Sequence, residues 1–274
     1  MSVEAVVHHH ETVHQAAEAA PGGIPELPNV ITLLSQRAHD HPLVSWLHHW
    51  ENLAFAALVG AGLCLLAWRY GRRPAIIPRG GQNILETLVE AIDRFVHGII
   101  GPGSRRHVPF IGTLFLYIWL MNLSVLIPGM KSATASLNTT VGLALVVFCY
   151  VQWIGITANG LLKYADHLAG SPRDIVGWAL VPLMLPIHLL GELIKPLSLS
   201  LRLGFNVFAE DVLLAVLVGL GIGAGALLHL PIALPLQLFV VPLVLIFSTV
   251  QALVFSLLTS VYIALMVPHE AHHH

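Results

Sequence analysis

Between Ile175 and Pro268 the sequence holds one arginine, Arg202, one lysine, Lys195, and three acids, Glu192, Glu210 and Asp211. Arg202 lies deep in an apolar run. An arginine at mid-bilayer is about 2.5–3.5 kcal/mol uphill on insertion scales, so such residues face a bundle interior or an aqueous path and mark ion movement. On a helix, Ser198, Arg202 and Asn206 recur at i, i+4 and i+8 and form one polar stripe. The chemistry on offer is charge movement. A guanidinium keeps its proton, and its fixed charge depresses the pKa of a carboxylate brought within ~4–6 Å. A moving partner with one buried carboxylate is thus forced to release its proton beside Arg202 and can re-protonate on either side of it. Two plainer readings stand beside this one: Arg202 snorkels to a headgroup, or it pairs inside the protein with Glu192, Glu210 or Asp211.

Other chemistries find little support. His10-Glu11-Thr12-Val13-His14 matches the His-Glu-x-x-His pattern that places two zinc ligands on one helix face, and the pattern recurs at His269-Glu270-Ala271-His272-His273. Two hits at opposite ends of a chain with 17 histidines reflect composition, and neither has a third ligand nearby. No metal site, no cofactor and no metalloprotease chemistry are therefore expected. A nucleotide-binding glycine loop and a nucleophile elbow are both absent from the sequence. Cys64 and Cys149 lie in apolar runs and read as small buried hydrophobes rather than a disulfide. A net charge of −2 argues against nucleic acid as a partner.

The elements that must position these residues are membrane helices. Hydrophobic residues make up 56% of the chain and charged ones 10%, with a mean hydropathy of +0.77, too apolar for a soluble globule. The expected fold is an all-α polytopic membrane protein with five spans and one amphipathic surface helix. Residues 1–50 form a polar, His-rich outer segment without the basic and apolar regions of a signal peptide. Residues 51–268 form a single membrane domain, and 269–274 a short tail. The first span is predicted at 53–68 and ends in Arg69, Arg72, Arg73 and Arg79, which marks that side as cytoplasmic and the N-terminus as outside. An amphipathic helix over 82–100 is predicted to lie along the cytoplasmic surface. Spans over 108–128 and 139–162 make a hairpin, in which Trp119 and Trp153 are assigned to packing, and Asn122, Asn138 and Gln152 to bonds across helices or to a water path. Ser248, Ser256 and Thr259 are read the same way.

The remaining apolar stretches, 175–228 and 232–267, both exceed a single perpendicular crossing of about 17–25 residues. Pro182, Pro186 and Pro196 are predicted bending points in the first. Five spans leave the C-terminus on the cytoplasmic side.

Three segments carry a family resemblance. Lys195-Pro-Leu-Ser-Leu-Ser-Leu-Arg-Leu203, followed by Asn206 and an acid, closely resembles the arginine-bearing helix of the F-type ATP synthase subunit a family. Leu137-Asn-Thr-Thr-Val-Gly-Leu-Ala-Leu145 is similar to the start of that family's fourth helix, counting its surface helix, and Gln251-Ala-Leu-Val-Phe-Ser-Leu-Leu-Thr-Ser-Val-Tyr262 to its last. They fall in the family's order over roughly residues 134–262. The resemblance implies an inner-membrane, non-catalytic, ion-translocating stator, most simply for protons, that offers two half-channels to a ring of c subunits with a fixed arginine between them. It implies as partners the c-ring, the b subunits of the peripheral stalk, the rest of the complex and the lipid membrane. Residue by residue, it makes Arg202 the essential arginine, Asn206 the channel asparagine and Gln251 the facing polar residue of the last helix. Asp211, or else Glu210, becomes the outer relay, the other acid being solvated or paired with Lys195. Glu192, Lys195, His188 and Ser248 are secondary candidates, with His229 as a further substitute. Three departures accompany it. Gly204-Phe205 reverses the usual order and moves the small residue by about 100° around the helix. Ser136 stands where an aspartate is common, and Val244 where an ionisable residue is common. A secondary ion carrier, the runner-up, would show internal repeats and two broken helices in matching halves; the sequence shows one arginine-centred element.

Overall fold

The computed structural model describes residues 50–71, 80–127, 130, 134, 136–160, 164, 175–227 and 236–267, without the side chains of 175–180, 226, 227 and 237. The His-Glu-x-x-His segments, Arg72, Arg73, Arg79 and His229 lie outside them. Six α-helices are described: α1 Glu51–Gly71, α2 Gly81–Ile100, α3 Val108–Leu123, α4 Leu137–Asn159, α5 Ile175–Leu227 and α6 Val241–Met266. Short 3-10 turns cover Ser104–Arg106, Ser124–Leu126 and Leu236–Phe239. All except α2 are long and apolar enough to cross a membrane, which gives the five expected spans.

The helices begin and end where local chemistry dictates. Pro109 and Pro242 occupy the first turns of α3 and α6, where a missing N–H breaks no helical bond. That is why α6 starts at Val241 and is 26 residues long, well short of the stretch that hydropathy outlines. Gly160, at φ +77°, ends α4 with a conformation that suits glycine. By contrast α5 runs unbroken for 53 residues through Pro182, Pro186 and Pro196. Its contour of roughly 80 Å exceeds a ~30 Å hydrocarbon layer, so it must tilt or bend to stay within it.

α6 is the central element, packing on α2, α3, α4 and α5, while α1 leans chiefly on α3. The main core gathers Ile92 and Val96 of α2, Ile111, Phe115 and Ile118 of α3, Val147 and Val151 of α4, Leu199 and Leu203 of α5, and Phe255 and Ile263 of α6. The surface helix therefore buries part of its apolar face in the bundle, and leaves Ile84 and Val89 exposed. Polar contacts tie the layers: Trp119 Nε1 donates to Thr249 Oγ1 at 3.0 Å, and Asn159 Nδ2 to the Met266 carbonyl at 2.9 Å. Trp153, at 68% exposure, faces out of the bundle rather than packing inside it. Cys64 and Cys149 are also exposed, on outward helix faces, so the expectation of buried thiols is corrected. In a membrane an outward face meets lipid, and an apolar-run cysteine needs no interior position there.

At the foot of α3, His107 is buried with its Nε2 accepting from Arg106 Nε at 2.9 Å and its Nδ1 3.0 Å from the Tyr150 hydroxyl. Burial first, then the Arg106 charge, lowers its pKa. A neutral ring is required, because Nε2 receives a donor.

Candidate functional site

Helix α5 has two adjoining longitudinal faces, their centres roughly a third of a turn apart. Leu199, Leu203, Val207, Glu210 and Leu214 are buried against the bundle, whereas Ser198, Arg202, Phe205, Asn206, Ala209 and Leu213 are exposed. The polar stripe read from the sequence thus lies on the outward face. Arg202 has no ion-pair partner among the described residues. Neither the pairing with Glu192 nor that with Glu210 or Asp211 is formed.

Asn206, one turn above Arg202, donates through Nδ2 to Gln251 Oε1 at 2.7 Å. Gln251 is only 5% exposed, so a single hydrogen bond links the outward stripe of α5 to a polar group inside the bundle. Along α6, Ser248 and Ser256 are buried and their hydroxyls have no partner, while Thr259 Oγ1 returns to its own Phe255 carbonyl at 2.9 Å. None of the three bonds across to another helix, contrary to expectation. Side-chain hydroxyls readily satisfy themselves on the carbonyl one turn back, as Thr259 and Ser260 do here. Unpartnered Ser248 and Ser256 instead leave polar atoms inside the bundle with bonding capacity unused.

The adjacent acids are sorted by the helix. Glu210 belongs to the buried face at 8% exposure with Oε2 unpartnered; Asp211, 100° further round, is half-buried. Asn122 of α3 is 1% exposed; its Oδ1 accepts from Thr134 Oγ1 at 2.7 Å and its Nδ2 has no partner. Val244 is buried with Leu214 and Val240, so an apolar patch occupies the position where an ionisable side chain was noted as common.

Lys195 is paired with Glu192, one turn before it, and not with Asp211. Glu192 also receives Gln152 Nε2 of α4 at 3.3 Å, so Gln152 does bond across helices. His188 stays on the exposed face, bonded to its own Met184 carbonyl, and joins none of these groups.

Gly204 resolves the question raised by the Gly-Phe order. A side chain there would meet Leu137 Cδ2 at 3.0 Å and Thr140 Oγ1 at 3.3 Å, so the glycine lets the start of α4 approach α5 two residues from Arg202. Phe205 turns outward at 59% exposure. Together with Phe208, Ser136, Leu137 and Asn138 they border a cavity of about 360 Å³. The atoms a new Cβ would meet belong to side chains and not to backbone, and the nearest is the end of Leu137. Gly204→Ala is therefore expected to be near neutral in thermal unfolding of the purified chain, its helix propensity gain offsetting the squeeze. Gly204→Leu is expected to cost about 1–3 kcal/mol through overpacking; equal melting temperatures for both would show that α4 does not press on this face.

Among the described residues no group of three metal-ligating side chains converges. The arrangement offers a fixed exposed cation, a hydrogen bond from its stripe neighbour Asn206 to the interior, and buried carboxyl, amide and hydroxyl groups with unused bonding capacity. Such groups can hold water and pass protons.

Comparison with known proteins adds the following. A family model described as ATP synthase A chain matches residues 53–264. The ATP synthase subunit a of Protochlamydia amoebophila is 40% identical over 255 residues, which cover 93% of this chain and 94% of that one. ATP synthase subunit a 1 of Syntrophotalea carbinolica is 36% identical over 85% of this chain and 89% of its own, and ATP synthase subunit a of Aliarcobacter butzleri is 36% identical over 81% and 92%.

Proposed function

Because the chain belongs to the ATP synthase A chain family, we propose that it is the non-catalytic, ion-translocating stator of a rotary F-type ATP synthase, working on protons. One observation carries the reading: Arg202 stands without an ion-pair partner among the described residues on the outward face of α5, beside an asparagine bonded to the buried Gln251. A membrane-exposed cation that the protein leaves uncompensated suits an anionic partner arriving from outside the chain. That partner is a ring of c subunits, each with one membrane carboxylate.

When a ring carboxylate reaches Arg202 it loses its proton, since the nearby positive charge favours the ionised form. It regains one after passing on, from an aqueous half-channel on the other side of the arginine. The outer half-channel runs past Glu210, Ser248 and Gln251 to Asn206, with Asp211 at its margin. The fixed charge of Arg202 separates this route from the inner one and opposes direct proton leakage. Each charge crossing contributes ~2.3 kcal/mol per 100 mV, so successive steps accumulate work for ATP formation elsewhere in the complex. The b subunits of the peripheral stalk hold the chain against the torque. By the positive-inside rule, Arg69 at the end of α1 and Arg105–Arg106 before α3 set that side as cytoplasmic in a bacterial inner membrane. The N-terminus is then outside, and the C-terminus cytoplasmic.

Disulfide cross-linking tests the face. In the whole complex, with Cys64→Ala and Cys149→Ala, Ala209→Cys is expected to form an adduct with a cysteine placed one turn from the ring carboxylate, and the adduct to stop ATP-driven pumping until reductant is added. Adducts from Trp153→Cys on α4 and none from Ala209→Cys would move the ring to another face and overturn the reading.

A further inference from the structure

Helix α5 carries a second cation. Lys195 precedes Arg202 by seven residues, two turns or roughly 10 Å along the axis, and on nearly the same side. Two cations so placed compete for one arriving anion. The structure treats them oppositely. Arg202 is exposed, with no ion-pair partner among the described residues, whereas the Lys195 amino group is bonded to Glu192 Oε1 and lies 5.5 Å from the centre of the Tyr262 ring. Side-chain exposure is 26% for Lys195 and 14% for Glu192.

Glu192 is held in that role from a different helix. Its second oxygen accepts from Gln152 Nε2 of α4 at 3.3 Å, and Gln152 Oε1 accepts from the Tyr164 hydroxyl, which fixes the orientation of the amide. Ion pairs taken partly out of water add little to stability, because the lost hydration offsets the attraction. Three further side chains, Tyr262, Gln152 and Tyr164, arranged around one pair therefore call for a purpose other than stability.

We propose that Gln152 is a positioning residue that holds Glu192 against Lys195, so that α5 offers the moving carboxylate one uncompensated cation, Arg202. This rests on the reading of Arg202 as the place where that carboxylate discharges its proton. An unpaired Lys195 would trap the carboxylate two turns from the discharge point and slow its departure. At an effective dielectric of about 20 and a separation near 10 Å, the added attraction is worth about tenfold in residence.

The test is ATP-driven acidification of inverted vesicles carrying the whole complex, with pull-down and soluble ATPase activity as assembly controls. Glu192→Gln, which keeps shape and removes the charge, is expected to pump about tenfold more slowly. Adding Lys195→Met to it is expected to restore pumping to within about threefold of wild type, since the competing charge is then gone. Gln152→Leu is expected to show a smaller loss that the same second change repairs; it keeps the idea testable if Glu192→Gln assembles poorly. A double variant as slow as Glu192→Gln overturns the proposal, because Glu192 would then be needed as a proton carrier or a structural bolt. So does wild-type pumping by Glu192→Gln. Arg202→Ala run alongside separates the two levels. Normal pumping there removes the parent reading and this one together, whereas lost pumping there beside an unrepaired double variant removes this one alone.

Discussion

Arg202→Ala is expected to abolish ATP-driven ion pumping in membrane vesicles while the complex still assembles and its soluble ATPase activity persists. The expected size follows from what alanine removes. A unit charge about 4 Å from a carboxylate at an effective dielectric near 20 is worth about 4 kcal/mol, close to three orders of magnitude in a proton-release equilibrium. No other cation can step in among the described residues of α5: Lys195 is the next, and Glu192 already holds it. Removal should also open a passive leak, measurable as faster collapse of an imposed proton gradient without ATP. Arg202→Lys should recover only part of the rate, because an ammonium is a compact, strongly hydrated point charge and loses the planar fork. Normal pumping in Arg202→Ala would reduce Arg202 to a structural charge and reopen the ion-carrier reading.

Glu210→Gln should be the second most damaging change, with pumping reduced on the order of a hundredfold, the usual weight of a positioned proton carrier. Asp211→Asn should cost much less. The reasoning is positional: Glu210 lies on the buried face of α5 with an unpartnered Oε2, four residues beyond the Asn206 that reaches Gln251, whereas Asp211 is half-buried. Glutamine has the same shape, so a loss of pumping with intact assembly reports on proton exchange rather than packing. The reverse order of effects would return the relay to Asp211, the residue that the family resemblance favoured.

How much of this was legible beforehand depends on the range over which each feature is decided. The five spans were, because hydropathy over about 20 residues is a property of the segment itself. The stripe of Ser198, Arg202 and Asn206 was too, because helical period fixes which residues share a face, and only its outward direction had to come from packing. The start of α6 was missed by nine residues against the apolar run that opens at 232, since a stretch can be apolar throughout and still turn at Leu236–Phe239 before Pro242 seeds the helix. Side-chain partners were the least legible. Gln152 and Glu192 are 40 residues apart and come together only when α4 packs on α5, and nothing local distinguishes them from Asn122 or Asn138. The resemblance did locate Gln251, which meets Asn206. It did not sort Glu210 from Asp211, because neighbours in sequence differ by a third of a turn, and only the bundle says which third is inside.

The continuity of α5 sets what this chain can tolerate over generations. Lys195, Arg202, Asn206 and Glu210 stand on one unbroken helix, so the number of residues between them sets which share a face. Inserting or deleting a single residue between Lys195 and Glu210 would swing everything beyond it by about 100°, carrying groups of one face onto another. This interval should admit substitutions and no gaps. On the proposed mechanism its length matters as much as the identity of the arginine.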